Sequence, residues 1–487
     1  MQVLLDNGDP ALHRSIQTVW PLDAEAAFGA LPTPLRLHAD PRYTGRGVTL
    51  AVVDTGFYPH PDLAQPTNRI RAWVDAVQEP VQVRYFDPDE TPAWPGWDAA
   101  QPVQWHGLMT SAVAAGNGWL SHGLYRGLAS EADLVLVQVR NQDTSITNTG
   151  LVRALRWLAE HGPALRVRVV NLSLGGEPVS PLAGNPIDQA IAALTAQNMS
   201  VVAAAGNDGE RHLLPPATAP TALTVGGIDD KNTFDHHDLE LWHSNYGQSA
   251  GGSLKPDIVA PSIWVAAPIL PNTPVATEAW QLFNQRSSGE MWVERRLAEM
   301  KLVTPHYQHV DGTSFAAPIT ASVIATMLQA NPSLSPFLIR DILKTTAHAV
   351  AGASPERQGA GAVDAGQAVA FAIREQHGPL VGHLLSPQVT ATGITFWLHD
   401  HTAQQVTVLG SWDGWATPGL RATQVEPGFW QANHGPLAPG QYAYKFLVDN
   451  THWLDDPVNP QKIPDGLGGL NSLLVVQKNA IFITTKL

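Results

Sequence analysis

A doubly wound, mostly parallel α/β sheet followed by a small antiparallel β-sandwich is the architecture that this 487-residue sequence predicts. Three observations predict it. Short, nearly continuous apolar runs recur through the first part of the chain, too short for helices and not cleanly alternating, as in strands buried on both faces of a parallel sheet. Amphipathic helical stretches fall between them, so strand and helix alternate. Past about residue 387 the hydrophobic period becomes two, with Pro-Gly and Asp-Gly turns between the runs, which marks a small sandwich.

In chain order, residues 1–46 carry Pro32, Pro34, Pro41 and Gly45 and are expected to form an arm leading into the first strand. Strands are expected at 48–53, 134–139, 167–172 and 200–205. Helices are expected at 150–161, with Leu151, Leu155 and Leu158 on one stripe, and at 186–198, with Ile187, Ile191 and Leu194. Two more follow at 314–330 and 335–347, the first slim enough in its alanines to sit inside a domain. After 371–387 changes character, the runs at 395–398, 405–409 and 441–448 alternate between turns at Asp413-Gly414, Pro418-Gly419, Pro427-Gly428 and Pro439-Gly440. The expected division is an arm (1–46), an α/β domain (47–375), a linker (376–390), an immunoglobulin-like sandwich (391–478) and a tail (479–487).

Hydrophobic residues make up 44% of the chain and charged residues 15%, against roughly 25% charged in ordinary globular chains, which excludes a disordered protein. The balance is acidic, with a formal net charge of −14, so neither nucleic acid nor a membrane surface is an expected partner. With no cysteine, disulfides, thiolate zinc sites, iron–sulfur clusters and a cysteine nucleophile are all excluded. The start of the chain lacks a basic, apolar leader, so the expected location is cytoplasmic as encoded, or extracellular if the sequence is a mature form.

Three segments carry candidate chemistry: Ala51-Val-Val-Asp54-Thr-Gly56, Trp105-His106-Gly107 and Asp311-Gly-Thr-Ser314-Phe-Ala-Ala-Pro318. Asp54 ends a buried strand, where ligands gather in open α/β sheets. Alone, it reads equally well as a structural strand-end acid. His106 opens a helix of small and apolar residues, and a lone histidine there is more often a cap or a core residue. Ser314 follows Gly312 and could be a plain helix N-cap. The fourth segment, Val201-Val-Ala-Ala-Ala-Gly206-Asn207, places an amide at the end of a buried strand, where a polar group is costly unless it has a task such as stabilising an oxyanion.

Asp, His, Ser in chain order is the order of subtilisin. From about 44 to 370 the sequence resembles a subtilisin-family serine peptidase (peptidase S8). Asp54-Thr-Gly, His106-Gly, Asn171-Leu-Ser-Leu-Gly175, Ala205-Gly-Asn207, Ser244-Asn-Tyr-Gly247, Lys255-Pro-Asp-Ile-Val-Ala-Pro261 and Gly312-Thr-Ser-Phe-Ala-Ala-Pro318 occur in order. The resemblance implies that Ser314 is the nucleophile, His106 the general base and then acid, and Asp54 the group that fixes the His106 tautomer. It implies that Asn207 and the Ser314 backbone N–H bind the oxyanion. Ser173, Leu174 and Gly175 would pair with an extended peptide or protein substrate, with Ala204, Ala205 and Gly206 as the other wall of the P1 pocket.

Leu108 and Ala112 stand where the family usually has Thr and Gly, and both keep a small or apolar helix face. The short stretch 207–214 carries Asp208 and Glu210, which suggests an acidic pocket rim and a basic P1 residue. Two insertions stand out: a Pro- and Trp-rich acidic loop at 75–105 with Tyr85, Phe86, Trp94 and Trp97, and a helical segment at 271–305 expected to pack on the body. No cofactor is needed for the chemistry. Structural calcium is a family implication, with Asp87, Asp89, Asp229 and Asp230 the scattered acids at hand.

Residues 393–476 resemble the glycogen- and starch-binding modules found in the regulatory subunit of AMP-activated kinase, through Val408-Leu-Gly-Ser-Trp412-Asp-Gly-Trp415, Tyr442-Ala-Tyr-Lys445-Phe446, His452-Trp453-Leu-Asp-Asp-Pro457 and Leu470-Asn471. By that resemblance Trp415 and Trp453 are the stacking residues for an α-glucan (glycogen or starch), Lys445 and Asn471 its hydrogen-bonding residues, and Leu467 an apolar neighbour. Trp412 and Trp430 are expected in the core. The sequence thus reads as a serine endopeptidase with an appended glucan-binding or docking module. It leaves open a silent peptide- or glycan-binding scaffold, and a ligase or cyclase using the same acyl-enzyme.

Overall fold

The computed structural model describes residues 30–476 except 94–100, 141–144, 178–184, 235–237, 250–251, 377–385, 391–392, 401–402, 427–428, 457–458, 460 and 467–468. It divides into two compact units, Met1–Ile373 and Arg374–Leu487.

The first unit is built on the apolar runs. They form β1 (Thr49–Asp54), β2 (Ile70–Asp75), β3 (Gln82–Tyr85), β4 (Asp133–Gln138), β5 (Val167–Leu172), β6 (Ser200–Ala204), β7 (Leu223–Asp229) and β8 (Ile258–Pro261). Their order across the sheet is β8-β7-β6-β5-β1-β4-β2-β3, with Glu240–Leu241 as a short ninth strand on β7. All pairings in this order are parallel except β2–β3. Part of the acidic insertion is therefore an antiparallel edge strand rather than a loop, and its Phe86 is buried while Tyr85 is exposed. Trp94 and Trp97 lie outside the described residues.

The predicted helices appear as α1 (Trp105–Ala115), α2 (Asn148–His161), α3 (Pro186–Ala196), α6 (Thr313–Ala330) and α7 (Pro336–Thr345), with α4 (Pro274–Gln285) and α5 (Met291–Glu299) in the second insertion. Thr147 and Asn185 cap α2 and α3 by accepting from Gly150 N and Ile187 N, which starts each helix where its apolar stripe begins. Helix α6 packs against β5, β6, β7, β8 and α1, and all its residues but Ser314 and Gln329 are buried. Over 18 residues it is apolar enough to cross a membrane by composition, and its place inside the domain accounts for that composition. Helices α4 and α5 enclose a core of Ala279, Leu282, Val293 and Leu297 with Ile269 and Leu302.

The described end of the arm is fastened into this unit. Arg36, with no exposed side-chain surface, reaches Asp230 at 2.6 Å, and its other nitrogen donates to the Trp264 carbonyl at 3.0 Å. Directly after Arg36, Leu37 O accepts from Ala365 N, and Asp364 faces His348 at 2.8 Å and His38 at 3.6 Å.

The second unit is a sandwich of two antiparallel sheets. One runs Gln388–Thr390, Gly393–His399, Phe429–His434, Thr423–Glu426. The other runs Leu420–Arg421, Val406–Gly410, Gly440–Val448, Leu470–Val476, Lys462–Pro464, with His452–Leu454 also on Gly440–Val448. Phe396, Val406, Val408, Tyr444, Phe446 and Leu474 fill the space between them, and Trp430 joins that core with Trp412 packed at its margin.

Removing one partner of a buried ion pair leaves the other charge uncompensated. Arg36→Ala is therefore expected to lower unfolding stability by about 3–5 kcal/mol in urea titration. Stability equal to wild type would mean the arm contributes nothing to the unit.

Candidate active site

The carboxyl ends of β1, β5 and β6 lie side by side, because β1 pairs with β5 and β5 with β6. Asp54 is the last residue of β1 and has no exposed surface. Helix α1 comes over it unusually closely: a Cβ on Gly107 would lie 2.1 Å from Gly56 O. Glycine at this position is what lets the helix descend until His106 Nδ1 stands 2.8 Å from Asp54 Oδ1. The same carboxylate accepts from Thr55 N at 2.6 Å and from Thr110 Oγ1, on its second oxygen, at 2.9 Å.

Ser314 is the second residue of α6, whose N-cap is Gly312, so it is not the capping serine that a simpler reading of the motif allows. Gly312 has φ +127°, a conformation that favours glycine. The serine's backbone carbonyl accepts from Ser173 Oγ at 2.8 Å, and that hydroxyl in turn accepts from Asn171 Nδ2 at 2.9 Å. Ser314 Oγ itself donates to Ser173 O at 3.4 Å. His106, Ser314, Ser173, Leu174 and Gly175 line one cavity of about 600 Å³, together with Trp105, Arg140 and Ile146.

Asn207 corrects the sequence argument that singled it out. It lies three residues past the end of β6 and is exposed, so there is no burial cost for a task to offset. Its orientation is set by Thr313, whose N and Oγ1 donate to Asn207 Oδ1 at 3.0 and 2.8 Å. That leaves Nδ2 as the nearest atom, 3.3 Å, to where a Cβ on Gly312 would be. Ala204, Ala205 and Gly206 do not line the cavity. Ala205 packs with Leu213 and Ala217, and Gly206 N donates to Thr313 Oγ1.

Asp208 and Glu210 do not line the cavity either. Asp208 accepts from Asn245 Nδ2, and the N–H groups of both acids turn to Asn245 Oδ1. Among the described residues the charged side chain on the cavity wall besides His106 is Arg140, of the opposite sign. Trp105, 46% exposed, stands edge-on to the His106 ring at 5.1 Å. Sequence reasoning missed Thr110, Thr313, Arg140 and Trp105 as parts of this site. Thr110 had a readable signal, its four-residue spacing from His106, while the other three depend on which segments meet in space.

Burial alone would lower the His106 pKa, but the charge and hydrogen bond of Asp54 outweigh it, and the net shift is upward from the ordinary 6.5. Two of the four acids considered for calcium are engaged otherwise: Asp230 by Arg36, and Asp229 by Lys231 and the Trp264 indole. No three His, Asp or Glu side chains gather as a metal site among the described residues. These acids do not fit a calcium site, and no step below passes through one.

In the sandwich, inward Tyr444, Phe446 and Ser472 leave Lys445, Leu447 and Asn471 on the outer face of the larger sheet. Trp453 pairs with Leu447 on that face, is 49% exposed, and meets Trp415 at 6.3 Å between ring centres with planes 68° apart. Lys445 Nζ lies 2.7 Å from Asp465, a partner the sequence did not suggest. Four of the five candidate glycan residues thus share one face; Leu467 lies outside the described residues.

A doubly wound sheet with a serine, a histidine and a buried aspartate gathered at strand ends defines the class of serine hydrolases. The chain belongs to the subtilase family, whose model matches residues 45–361, and it is a serine endopeptidase of that family. Serine protease AprX of Bacillus subtilis is 30% identical over 334 residues, covering 67% of each chain. Subtilisin BL of Lederbergia lenta is 29% identical over 323 residues, 66% of this chain and 90% of the relative. A protease structure from Pseudoalteromonas arctica matches with a TM-score of 0.50 at 24% identity, over 75% of this chain and 98% of that one, and shows the shared fold. Residues 394–482 match the glycogen recognition site of AMP-activated protein kinase.

Two expectations follow. Gly107→Ala should push α1 off β1 and cost about 1–3 kcal/mol of stability along with most peptide hydrolysis; hydrolysis at the wild-type rate would refute the close-approach argument. If His106 accepts a proton during hydrolysis it must be neutral, and since its pKa is raised, kcat/KM should then fall as pH drops through a value above 6.5. A kcat/KM profile whose acidic midpoint lies at or below 6.5 contradicts this.

Proposed function

We propose that the first unit hydrolyses peptide bonds through Asp54, His106 and Ser314, with Asn207 and the Ser314 N–H as the oxyanion donors. The observation that carries this reading is the His106–Asp54 contact of 2.8 Å in a cleft that also holds Ser314. A turn about the Ser314 Cα–Cβ bond takes Oγ from the Ser173 carbonyl toward His106 Nε2. Hydrogen bonds of this kind are often unmade before substrate binds. As Oγ attacks the substrate carbonyl, His106 takes its proton, and Asp54 holds the Nδ1–H tautomer and stabilises the imidazolium. The oxyanion then faces Asn207 Nδ2 and the Ser314 N–H, which as an early helical amide has no partner within the helix. His106 returns the proton to the leaving amine, and water repeats the sequence on the acyl-enzyme.

The substrate acyl portion is read as an extended strand. Segments after β5 and β4 continue past the end of β1, which lies between them in the sheet, and two strand spacings, about 9.6 Å, leave room for one peptide. Ser173–Gly175 supplies the edge on one side and the region of Arg140 and Ile146 the other wall.

For the second unit the proposed partner is an α-glucan. Sugar rings have apolar faces edged with hydroxyls, and the angled Trp415–Trp453 pair beside Lys445 and Asn471 offers flat surface with polar groups at its border.

A fluorophosphonate should form one adduct on the wild type and none on Ser314→Ala, read by intact mass. Asn207→Ala should keep KM and lose about 10² to 10³ in kcat, the magnitude seen for such a donor in subtilisin, a member of this family. Wild type that is folded yet gives no adduct would overturn the hydrolytic reading. For the module, retardation in a glycogen-containing native gel should weaken about tenfold with Trp453→Ala. A wild type that runs unretarded would remove the glucan proposal.

A further inference from the structure

We propose that Thr110 is a positioning residue of the triad: its hydroxyl holds the second oxygen of the Asp54 carboxylate so that the first stays aimed at His106. This rests on the reading of Asp54, His106 and Ser314 as a triad.

The geometry is a grip by one helix on both oxygens. His106 and Thr110 are four residues apart on α1 and so share a face. His106 Nδ1 meets Oδ1 at 2.8 Å, and Thr110 Oγ1 donates to Oδ2 at 2.9 Å. Thr55 supplies two further donors, N at 2.6 Å and Oγ1 at 3.2 Å, and both fall on Oδ1. Among the described residues Thr110 is thus the donor given to Oδ2. Both Thr110 and Asp54 have no exposed surface, so water does not substitute for the hydroxyl.

Thr110 has one competing acceptor, the Gly107 carbonyl at 3.3 Å, the usual back-bond of a helical threonine. Ser111 Oγ already donates to that carbonyl at 2.6 Å. The shorter bond to a carboxylate oxygen is the stronger of the two. Rotation of an aspartate about its terminal torsion is otherwise soft, with broad wells. Without the hydroxyl, Oδ2 becomes a buried acceptor lacking its donor, and turning of the carboxylate takes Oδ1 off the His106 axis. The imidazole then loses its tautomer lock and the hydrogen bond that contributes to raising its pKa.

The test compares Thr110→Val, nearly isosteric without the hydroxyl, with Thr110→Ser, which keeps it. Hydrolysis of a chromogenic peptide anilide is followed from pH 5 to 9. Thr110→Val should lose about ten- to hundred-fold in kcat with KM unchanged. Its acidic limb should move to lower pH, and Thr110→Ser should restore both. The low-field proton NMR resonance of His106 Nδ1–H, which needs no turnover, should shift upfield and broaden in Thr110→Val alone.

Wild-type kcat, limb and resonance in Thr110→Val would overturn the assignment, as would a limb moving to higher pH, which marks a hydroxyl that only tunes charge. Should Thr110→Val not fold, Thr110→Ala against Thr110→Ser makes the same comparison. An inert wild type would instead fail the triad reading, and the resonance then decides on Thr110 by itself.

Discussion

A carboxylate with no exposed surface sits at the end of β1, near the middle of a nine-stranded sheet, and much of the first unit is arranged around keeping it there. A buried carboxyl group that loses its partners costs several kcal/mol. Thr55, His106 and Thr110 share its two oxygens, and the last two arrive on a single helix. That helix can reach the strand end because Gly107 carries no side chain to hold it off the Gly56 carbonyl. Electrostatics and sterics are thus coupled: the histidine is oriented by the aspartate, and the aspartate is satisfied because the backbone approach is close.

The second constraint is the burial of α6. A helix surrounded by four strands and α1 must be slim and apolar, so its alanines and small polar residues are packing choices as much as catalytic ones. Its N-terminus is correspondingly fixed. Ser173 and Asn171 tie the Ser314 carbonyl to β5, and Asn207 ties Thr313 to the segment beyond β6. Ser314 is therefore placed by the ends of two strands, β5 and β6, rather than by its own loop. Two buried contacts fasten the same unit further: Arg36 of the arm to Asp230, and Tyr307, just past the second insertion, whose hydroxyl donates to Asp62 at 2.7 Å.

The sandwich uses the alternation of a strand to separate two jobs. Tyr444 and Phe446 turn inward and fill the core, so Lys445 and Leu447 necessarily turn outward. Trp453 reaches the same face by pairing with Leu447, which sets it on one surface with Lys445 and Leu447 without any loop having to be long or rigid. Asp465 then fixes Lys445 on that surface.

The sequence by itself determined the alternation of buried strands and helices and the period-two module, and it marked Asp54, His106 and Ser314 as candidates, because periodicity, glycine placement and ordered motifs are local. It also marked Trp415, Trp453, Lys445 and Asn471, since strand parity is written in residue number. It erred where the outcome depends on exposure or on neighbours from other segments. Asn207 proved exposed, and the 82–85 stretch became an edge strand by pairing with β2. Only the tertiary structure decided that Arg140 and Trp105 line the cleft, that Arg36 meets Asp230, and that Thr110 reaches the aspartate. Each of these depends on a distance of a few ångströms between segments far apart in the chain, and hydrogen bonds and ion pairs lose most of their strength beyond that range.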